Sequence, residues 1–240
     1  MSIDAFRPAL IAAAAAGILA ALVLTLLQSL WITPLILRAE TFEDSAPALS
    51  GHTHDAADHH DHEALAHHHH DEQAWKPEDG WQRTLFTLAA NIVMGFGYAL
   101  LLAGVFLMRK RPASLAQGLW LGLAGFIVFF AAPGLGLPPE LPGTAAADLG
   151  ERQQWWLATA ATTALGIALL CARIPGWARA LGALFLVAPH IVGAPHPALP
   201  ASAAPASLQT EFRIATTLGN AVFWLLLGVI CARLLRRQPR

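Results

Sequence analysis

Charge is scarce in this chain. Asp, Glu, Lys and Arg make up 13% of its 240 residues, about half of the roughly 25% that soluble domains carry. Apolar residues make up 55%, and the mean hydropathy is positive. No basic stretch is interleaved with aromatic residues in the way that nucleic-acid binding requires. The composition therefore indicates an integral membrane protein and argues against nucleic acid as a partner.

Cysteine is equally rare. The two cysteines, Cys171 and Cys231, lie in apolar runs and form neither a CxxC pair nor a disulfide framework. We expect both to be buried as small hydrophobic residues, which is the common environment of a free cysteine.

Catalytic motifs are lacking too. The chain contains no GxxxxGK[ST] phosphate-binding loop and no HExxH or GxSxG sequence. Its loops are too short to hold a separate catalytic domain. We therefore expect neither ATP hydrolysis nor another enzyme activity, and no tightly bound cofactor.

Long apolar runs dominate what is present. A helix needs about 20 mainly apolar residues to cross a bilayer. Six stretches reach or approach that length, at residues 9–32, 85–108, 115–132, 156–172, 177–192 and 214–234. The fourth and fifth are short and lie four residues apart, which predicts a helical hairpin. The first run is longer than the 7–15 apolar residues of a signal peptide, so we expect a retained helix. The prediction is one all-α membrane domain over residues 1–240 with about six transmembrane helices.

The distribution of positive charge predicts the orientation of these helices. With the N-terminus inside, the inner segments hold ten of the fifteen Lys and Arg residues, and the outer segments hold five. Trp31, Trp81, Trp155 and Trp156 would mark the outer interface, and Trp177 the inner one. Both termini are therefore predicted to be cytoplasmic.

A histidine-rich segment separates the first two predicted spans. Residues 43–77 form a low-complexity loop, and residues 51–72 contain nine of the eleven histidines. These are His52, His54, His59, His60, His62, His67, His68, His69 and His70, interleaved with acids that include Asp55, Asp58, Asp61, Glu63, Asp71 and Glu72. Imidazole and carboxylate groups together suit divalent first-row metal ions. The charge bias predicts that this loop is extracytoplasmic.

The spacing of these histidines matches no fixed tetrahedral site. Few apolar residues interrupt the segment, so we expect disorder and an adaptable, weakly selective collector of ions. The alternative is an inert polar linker. Because imidazole must be neutral to bind a metal, capture should fall as the pH drops through about 6.5.

Polar residues within or beside the predicted spans are candidates for a translocation site. His190 and His196 lie in PHIVGAPHP, where prolines and glycine interrupt a helix and free backbone carbonyls. The alternative for them is an interfacial hydrogen bond. Asn91 and Asn220 lie within spans, where bridging of helices by hydrogen bonds is the leading interpretation.

The Pro/Gly-rich segment at residues 133–156 supplies two acidic candidates. Glu140 and Asp148 could offer carboxylates to an entering cation. Asp148 could equally be the N-cap of the next helix.

A weak internal echo links the predicted helices. The three outbound helices are predicted to end in the related turns TPLIL, APGLG and APHIVG, and two returning helices contain TLAAN and TLGN. Duplicated hairpins, frequent in transporters, would explain this pattern, but Pro and Gly at helix ends are common in any case.

Several segments together resemble the CbtA family of predicted cobalt transporter subunits. They are TPLILRAETFE (33–43), residues 78–104, residues 124–160 with LGLPPELPG and ADLGERQQWW, APHIVGAPHP (188–197) and the final helix (220–235). The resemblance implies a multi-pass protein of the bacterial inner membrane that acts in cobalt uptake linked to cobalamin. It also implies a small single-span partner of the CbtB type, and assembly with further copies of this chain is left open.

These observations predict a membrane subunit for uptake of a divalent metal ion, with cobalt as the cargo that the resemblance indicates. Two alternatives stay open. One is a metal-binding scaffold, accessory or sensor subunit for another transporter, and the other is a nickel or zinc transporter.

Overall fold

The computed structural model describes residues 3–45, 77–108 and 113–236. Within these ranges the structure consists of helices, turns and loops, with a single β-bridge between Thr144 and Ser202. The α-helices are α1 (Ile3–Leu27), α2 (Thr33–Ser45), α3 (Trp81–Met108), α4 (Leu115–Phe126), α5 (Ala132–Gly136), α6 (Leu149–Cys171), α7 (Gly176–Val192) and α8 (Ala206–Arg236). A first π-helical turn (Gln28–Ile32) joins α1 to α2, and a second (Ile127–Ala131) joins α4 to α5.

Five helical stretches are long and apolar enough to cross a membrane. They are Arg7–Ser45, Trp81–Met108, Leu115–Gly136, Leu149–Cys171 and Ala206–Arg236. The sixth predicted span corresponds to α7, an apolar helix of 17 residues that is shorter than the other five. The all-helical prediction is confirmed, with five spans of sufficient length. The short α7 packs against α6 as the predicted hairpin.

The long helices run between two ends of the molecule in alternating directions. At one end, named here the loop end, the end of α2 meets the start of α3 and the segments that follow α5 and α7. The other end, named here the tail end, holds the α6–α7 connection and the end of α8. The histidine-rich residues 51–72 lie outside the described residues, although the helices on either side of them both reach the loop end.

The core is formed by helices that are distant in sequence. Small and aliphatic residues of α1, among them Ala13, Ala16 and Leu24, pack against α3 and α8. On α8, Phe223 and Leu227 are fully buried. Helices in lipid gain little hydrophobic driving force from one another, so close van der Waals packing carries their association. The alanine-rich face of α1 permits that close approach.

Helices α4 and α8 approach most closely at glycines. A Cβ atom added at Gly228 of α8 would overlap the carbonyl oxygen of Gly118, and one at Gly122 would overlap the carbonyl oxygen of Trp224. Gly118 and Gly122 are four residues apart and form a GxxxG pattern, which lets two backbones touch. Glycine is thus required here for steric reasons.

Both π-helical turns end two residues before a proline. The N–H of Thr33 donates to the carbonyl of Gln28, five residues earlier, and Pro34 follows. Ala132 donates to Ile127 in the same way, before Pro133. Proline has no N–H to donate, so the regular α-helical pattern of hydrogen bonds is interrupted there, although the chain stays helical.

These turns correct one prediction. The TPLIL segment does not end its helix, because the chain continues as α2 to Ser45. The other two outbound helices end as predicted, α5 at Gly136 and α7 at Val192.

The two cysteines differ in environment. Cys231 is buried in the core, where its Sγ lies 4.0 Å from the carbonyl oxygen of Ala99. Cys171 is exposed at the end of α6, so the prediction that both are buried is wrong for Cys171. A helix end has fewer neighbours to cover the side chain than a central turn.

Candidate functional site

Acidic side chains gather at the loop end. The acids whose side chains the structure describes all lie there: Glu40, Glu43, Asp44, Glu78, Asp79, Glu140, Asp148, Glu151 and Glu211. The described charges at the tail end are basic and include Arg173, Arg179, Arg233 and Arg236. A cation is therefore attracted to the loop end and repelled from the tail end.

The segment between α5 and α6, residues 137–148, is fixed at this end. Leu141 is buried against Leu35, Leu208 and Phe212. The N–H of Ala145 donates to the carbonyl of Ala201 at 2.9 Å, and that of Ala203 donates to Gly143 at 3.1 Å. These contacts hold the chain that directly follows Glu140.

Gly143 allows that arrangement. Its φ of +73° lies in the region that side chains disfavour. A Cβ atom there would also approach the Cβ of Ala203 to 3.0 Å. The loop thus passes tightly over residues 201–203.

Glu140 forms an ion pair with Arg152 in the first turn of α6. The Arg152 Nη2 lies 3.3 Å from the Glu140 Oε2, and both side chains are about one-third exposed or less. The carboxylate of Asp148 accepts a hydrogen bond from the N–H of Glu151 at 3.1 Å and caps this helix. The N-cap interpretation of Asp148 is therefore confirmed, and it sets the position of Arg152.

A large cavity opens beside this ion pair. It has a volume of about 960 Å³ and lies between the second π-helical turn, α5, α6 and α8. Phe129 and Phe130, Trp156 and Phe212 supply its apolar walls, and Glu140 and Arg152 are its charged residues. We name it the large cavity.

A smaller cavity, lined by more polar side chains, lies beside the same residues. It has a volume of about 450 Å³, and His196, Arg213, Gln209 and Ser202 line it. We name it the small cavity. Five residues line both cavities and separate them: Leu137, Pro138, Glu140, Thr144 and Arg152. Two predicted site residues, Glu140 and His196, thus share one cavity.

His190 lies elsewhere. It is half-buried near the end of α7, and its ring meets that of Trp155 edge-on with the centroids 6.1 Å apart. It lines neither the large nor the small cavity. The Trp155 ring is itself buried, whereas Trp31 and Trp81 are exposed. Their placement at the outer membrane interface stays a prediction.

The two asparagines have different roles. Asn91 is buried in α3, and its Nδ2 donates to the Oγ1 of Thr25 at 2.9 Å and to the Oε1 of Gln28. It bridges α3 to α1 and to the first π-helical turn, so its helix-bridging interpretation is confirmed. Asn220 donates to the carbonyl of Thr216 within its own helix at 3.0 Å, so that interpretation is wrong for Asn220.

A third cavity of about 690 Å³ lies between the end of α2 and the start of α3. Glu40, Glu43, Asp44, Glu78, Asp79, Arg83, Pro77 and Pro142 line it. Arg83 contacts Glu40 and Asp79 at 2.8 Å each. We name it the acidic cavity.

No group of three or more His, Cys, Asp or Glu side chains in residues 3–45, 77–108 and 113–236 is placed to hold a metal ion. The loop histidines and their acids, including Asp58, Asp61 and Asp71, lie outside those ranges, and their capture of metal stays a prediction. Sequence reasoning missed Arg152, which becomes notable only through its pairing with Glu140. It also missed Thr25 and Gln28.

Comparison with known proteins gives one match. Residues 6–236, nearly the whole chain, match a family described as "Probable cobalt transporter subunit (CbtA)". Neither a curated protein nor a solved structure matches the chain. The family match agrees with the multi-pass helical architecture and with the resemblance in the helices and the 137–156 segment. This chain therefore belongs to the CbtA family of transporter subunits.

Proposed function

We propose that this subunit imports divalent metal ions, with cobalt as its principal cargo, and that ions enter from the loop end. The observation that carries the proposal is the pair of cavities that meet at Glu140 in a transporter-subunit fold. A carboxylate in the wall between two cavities can attract a cation and replace part of its hydration shell. The metal is cargo in this proposal and not a resident cofactor.

The orientation follows from charge. The loop end faces outward, and both termini lie in the cytoplasm. The five long helical stretches and the shorter α7 all cross the membrane. The ten-to-five bias of basic residues supports this arrangement. Acidic side chains at the outer end would raise the local concentration of cations, and the inward membrane potential would favour their entry by about 2.3 kcal/mol per charge per 100 mV.

The histidine-rich segment acts as an external collector in this scheme. Its nine histidines bind ions adaptably and deliver them toward the small cavity, where His196 and Glu140 receive them. His190 supports that region from behind Trp155. Asp148 contributes by fixing the start of α6. Asn91 and Asn220 lie deeper in the molecule, and only Asn91 bridges helices, where it holds the first π-helical turn in place.

The chain works with other subunits. The family name states that it is a subunit, and we propose a small single-span protein of the CbtB type as its partner. The described helices expose many large apolar side chains, including Leu101 and Val93 of α3, and such faces fit either lipid or a partner helix.

Transport by the purified full chain tests the proposal. Proteoliposomes that contain the chain, with and without the candidate partner, should accumulate radiolabelled cobalt. Deleting residues 51–72 should raise the cobalt concentration needed for half-maximal uptake and leave the maximal rate unchanged, whereas His196→Ala should lower the maximal rate. Binding of cobalt without any flux, even with the partner present, would favour the scaffold or accessory role.

Two further experiments distinguish the remaining alternatives. Nickel or zinc uptake that outcompetes cobalt would favour the nickel or zinc transporter. A reporter fused to the C-terminal tail should be active only in the cytoplasm, and periplasmic activity would reverse the direction of transport.

A further inference from the structure

The Glu140–Arg152 ion pair stands on the partition between the large and the small cavity. Both residues line both cavities, so the pair lies in the wall that the two cavities share. Glu140 cannot retreat far, because the hydrogen bonds of Gly143 and Ala145 to residues 201–203 hold its segment. The backbone of Arg152 is fixed in the first turn of a capped helix, but its side chain is long and has several rotatable bonds. Of the two partners, the arginine is the one that can move.

The two partners of this ion pair make only one hydrogen bond with each other. A single contact of 3.3 Å joins the Arg152 Nη2 to the Glu140 Oε2, and the Oε1 of Glu140 accepts no hydrogen bond from the described residues. By contrast, Arg83 contacts two carboxylates at 2.8 Å each. A partly exposed pair with one long contact contributes little stability. The Glu140 carboxylate is therefore held by a weak and removable cation.

From these observations we propose that Arg152 is a tethered cation that occupies the Glu140 site until a divalent metal ion displaces it. The inference rests on the proposed function. The arriving ion binds the carboxylate from the small cavity, and the guanidinium swings away and opens the partition. When the ion moves on, Arg152 returns to Glu140 and blocks its way back. Arg152 is thus a specificity and positioning residue for transport.

The chemistry of the site suits passage rather than storage. Among the described residues, no three His, Cys, Asp or Glu side chains lie close enough to hold one metal ion. Glu140 and the hydroxyls of Thr144 and Ser202, which line the same cavity, would therefore bind an ion that keeps most of its water. Thr144 and Ser202 already lie 3.2 Å apart at this wall. Weak binding of this kind lets an ion leave as readily as it enters.

Equilibrium binding and uptake test the proposal separately. Cobalt binding is measured by calorimetry on the purified full chain with its nine loop histidines replaced by asparagine, so that the loop does not mask the site. Arg152→Gln should tighten cobalt binding by about fivefold, because the variant removes a competitor worth up to roughly 1 kcal/mol. Glu140→Gln should abolish this binding. Arg152→Lys keeps the positive charge, so its cobalt affinity should stay close to that of the parent chain.

Matched controls come from a second pair of the same kind. Arg38 and Glu211 are 4.0 Å apart at the loop end, both side chains are at least half exposed, and neither residue lines any of the three cavities. Arg38→Gln and Glu211→Gln should leave cobalt binding unchanged. In proteoliposomes Arg152→Gln should lower the half-saturating cobalt concentration. It should also lower the maximal rate, because no guanidinium is present to displace the ion from Glu140.

The results separate this inference from the proposed function. Equal affinity in the parent, Arg152→Gln and Glu140→Gln chains would overturn the tethered cation, as would an equal shift in Arg38→Gln. If Arg152→Gln does not fold, loss of binding in Glu140→Gln but not in Glu211→Gln tests the site by itself. A parent that binds cobalt at Glu140 yet moves none would contradict import and leave the ion pair's competition supported.

Discussion

The bundle of α1, α3, α4 and α8 differs sharply from the junction at which α5, α6 and α7 join it. In the bundle, alanines and glycines bring backbones together and large side chains such as Phe223 are fully buried. At the junction, residues 137–148 and aromatic side chains surround cavities of about 960 and 450 Å³. The difference agrees with the proposed function, in which the bundle supplies stability and the junction supplies the path for an ion.

The largest effect is expected from crowding the bundle. Gly228→Ala places a Cβ against the carbonyl of Gly118, so α4 and α8 must separate, at a cost of about 1–3 kcal/mol. Gly104→Ala is the matched control, because nothing lies within 4 Å of its added Cβ, and alanine favours a helix by up to about 1 kcal/mol. Unfolding in mixed micelles, followed by circular dichroism, measures both. Equal stability of the two variants would contradict the close contact.

The polar link inside the bundle should have the next largest effect. Asn91→Ala removes the donor to Thr25 and Gln28 and should cost about 1–2 kcal/mol. Asn220→Ala loses a bond within its own helix and should cost less than about 0.5 kcal/mol. The same unfolding assay compares them. Similar losses would mean that Asn91 does not join the helices.

The cysteines provide a chemical test of the same comparison. Cys171 of α6 is exposed and Cys231 of α8 is buried in the bundle. A maleimide added to the detergent-solubilised chain should modify Cys171 and leave Cys231 unmodified until the protein is unfolded. Mass spectrometry of peptides from the Cys171→Ser and Cys231→Ser variants identifies each site. Rapid labelling of Cys231 in the folded protein would show that the bundle is looser than described.

The smallest expected effect concerns pH and distinguishes the loop from the junction. Free imidazole has a pKa of about 6.5 and binds metal only when neutral. Cobalt capture by the nine loop histidines should therefore be complete above that pH and fall below it. At limiting cobalt, uptake should weaken modestly between about pH 7 and pH 6 in the natural chain. The loss should be clearly smaller when all nine are asparagine, and an undiminished loss would assign the response to the junction.

Much of the architecture was predictable because it depends on local composition. Each predicted span lies within or nearly matches a helix, since apolar length along the chain is a property of one segment. The ends were less predictable. The first helix passes through Pro34 by means of a π-helical turn and continues to Ser45. A proline in sequence indicates an interruption but not whether the helix ends there.

The candidate site was predictable in part. Glu140 and His196 were selected by residue type, and they line the same cavity. The importance of Arg152 was not visible, because arginines near helix ends commonly serve as interfacial anchors. Asn91 and Asn220 look alike in TLAAN and TLGN, yet only the former faces a partner on another helix.

The sequence by itself determined the membrane class, the family and the histidine-rich composition of residues 51–72, since these follow from composition and from motifs along the chain. The tertiary structure alone decided which charges meet. Glu140 pairs with Arg152, Arg83 bridges Glu40 and Asp79, and Trp155 is buried beside His190. The reason is physical: hydropathy acts segment by segment, whereas these contacts depend on how helices and loops distant in sequence pack together.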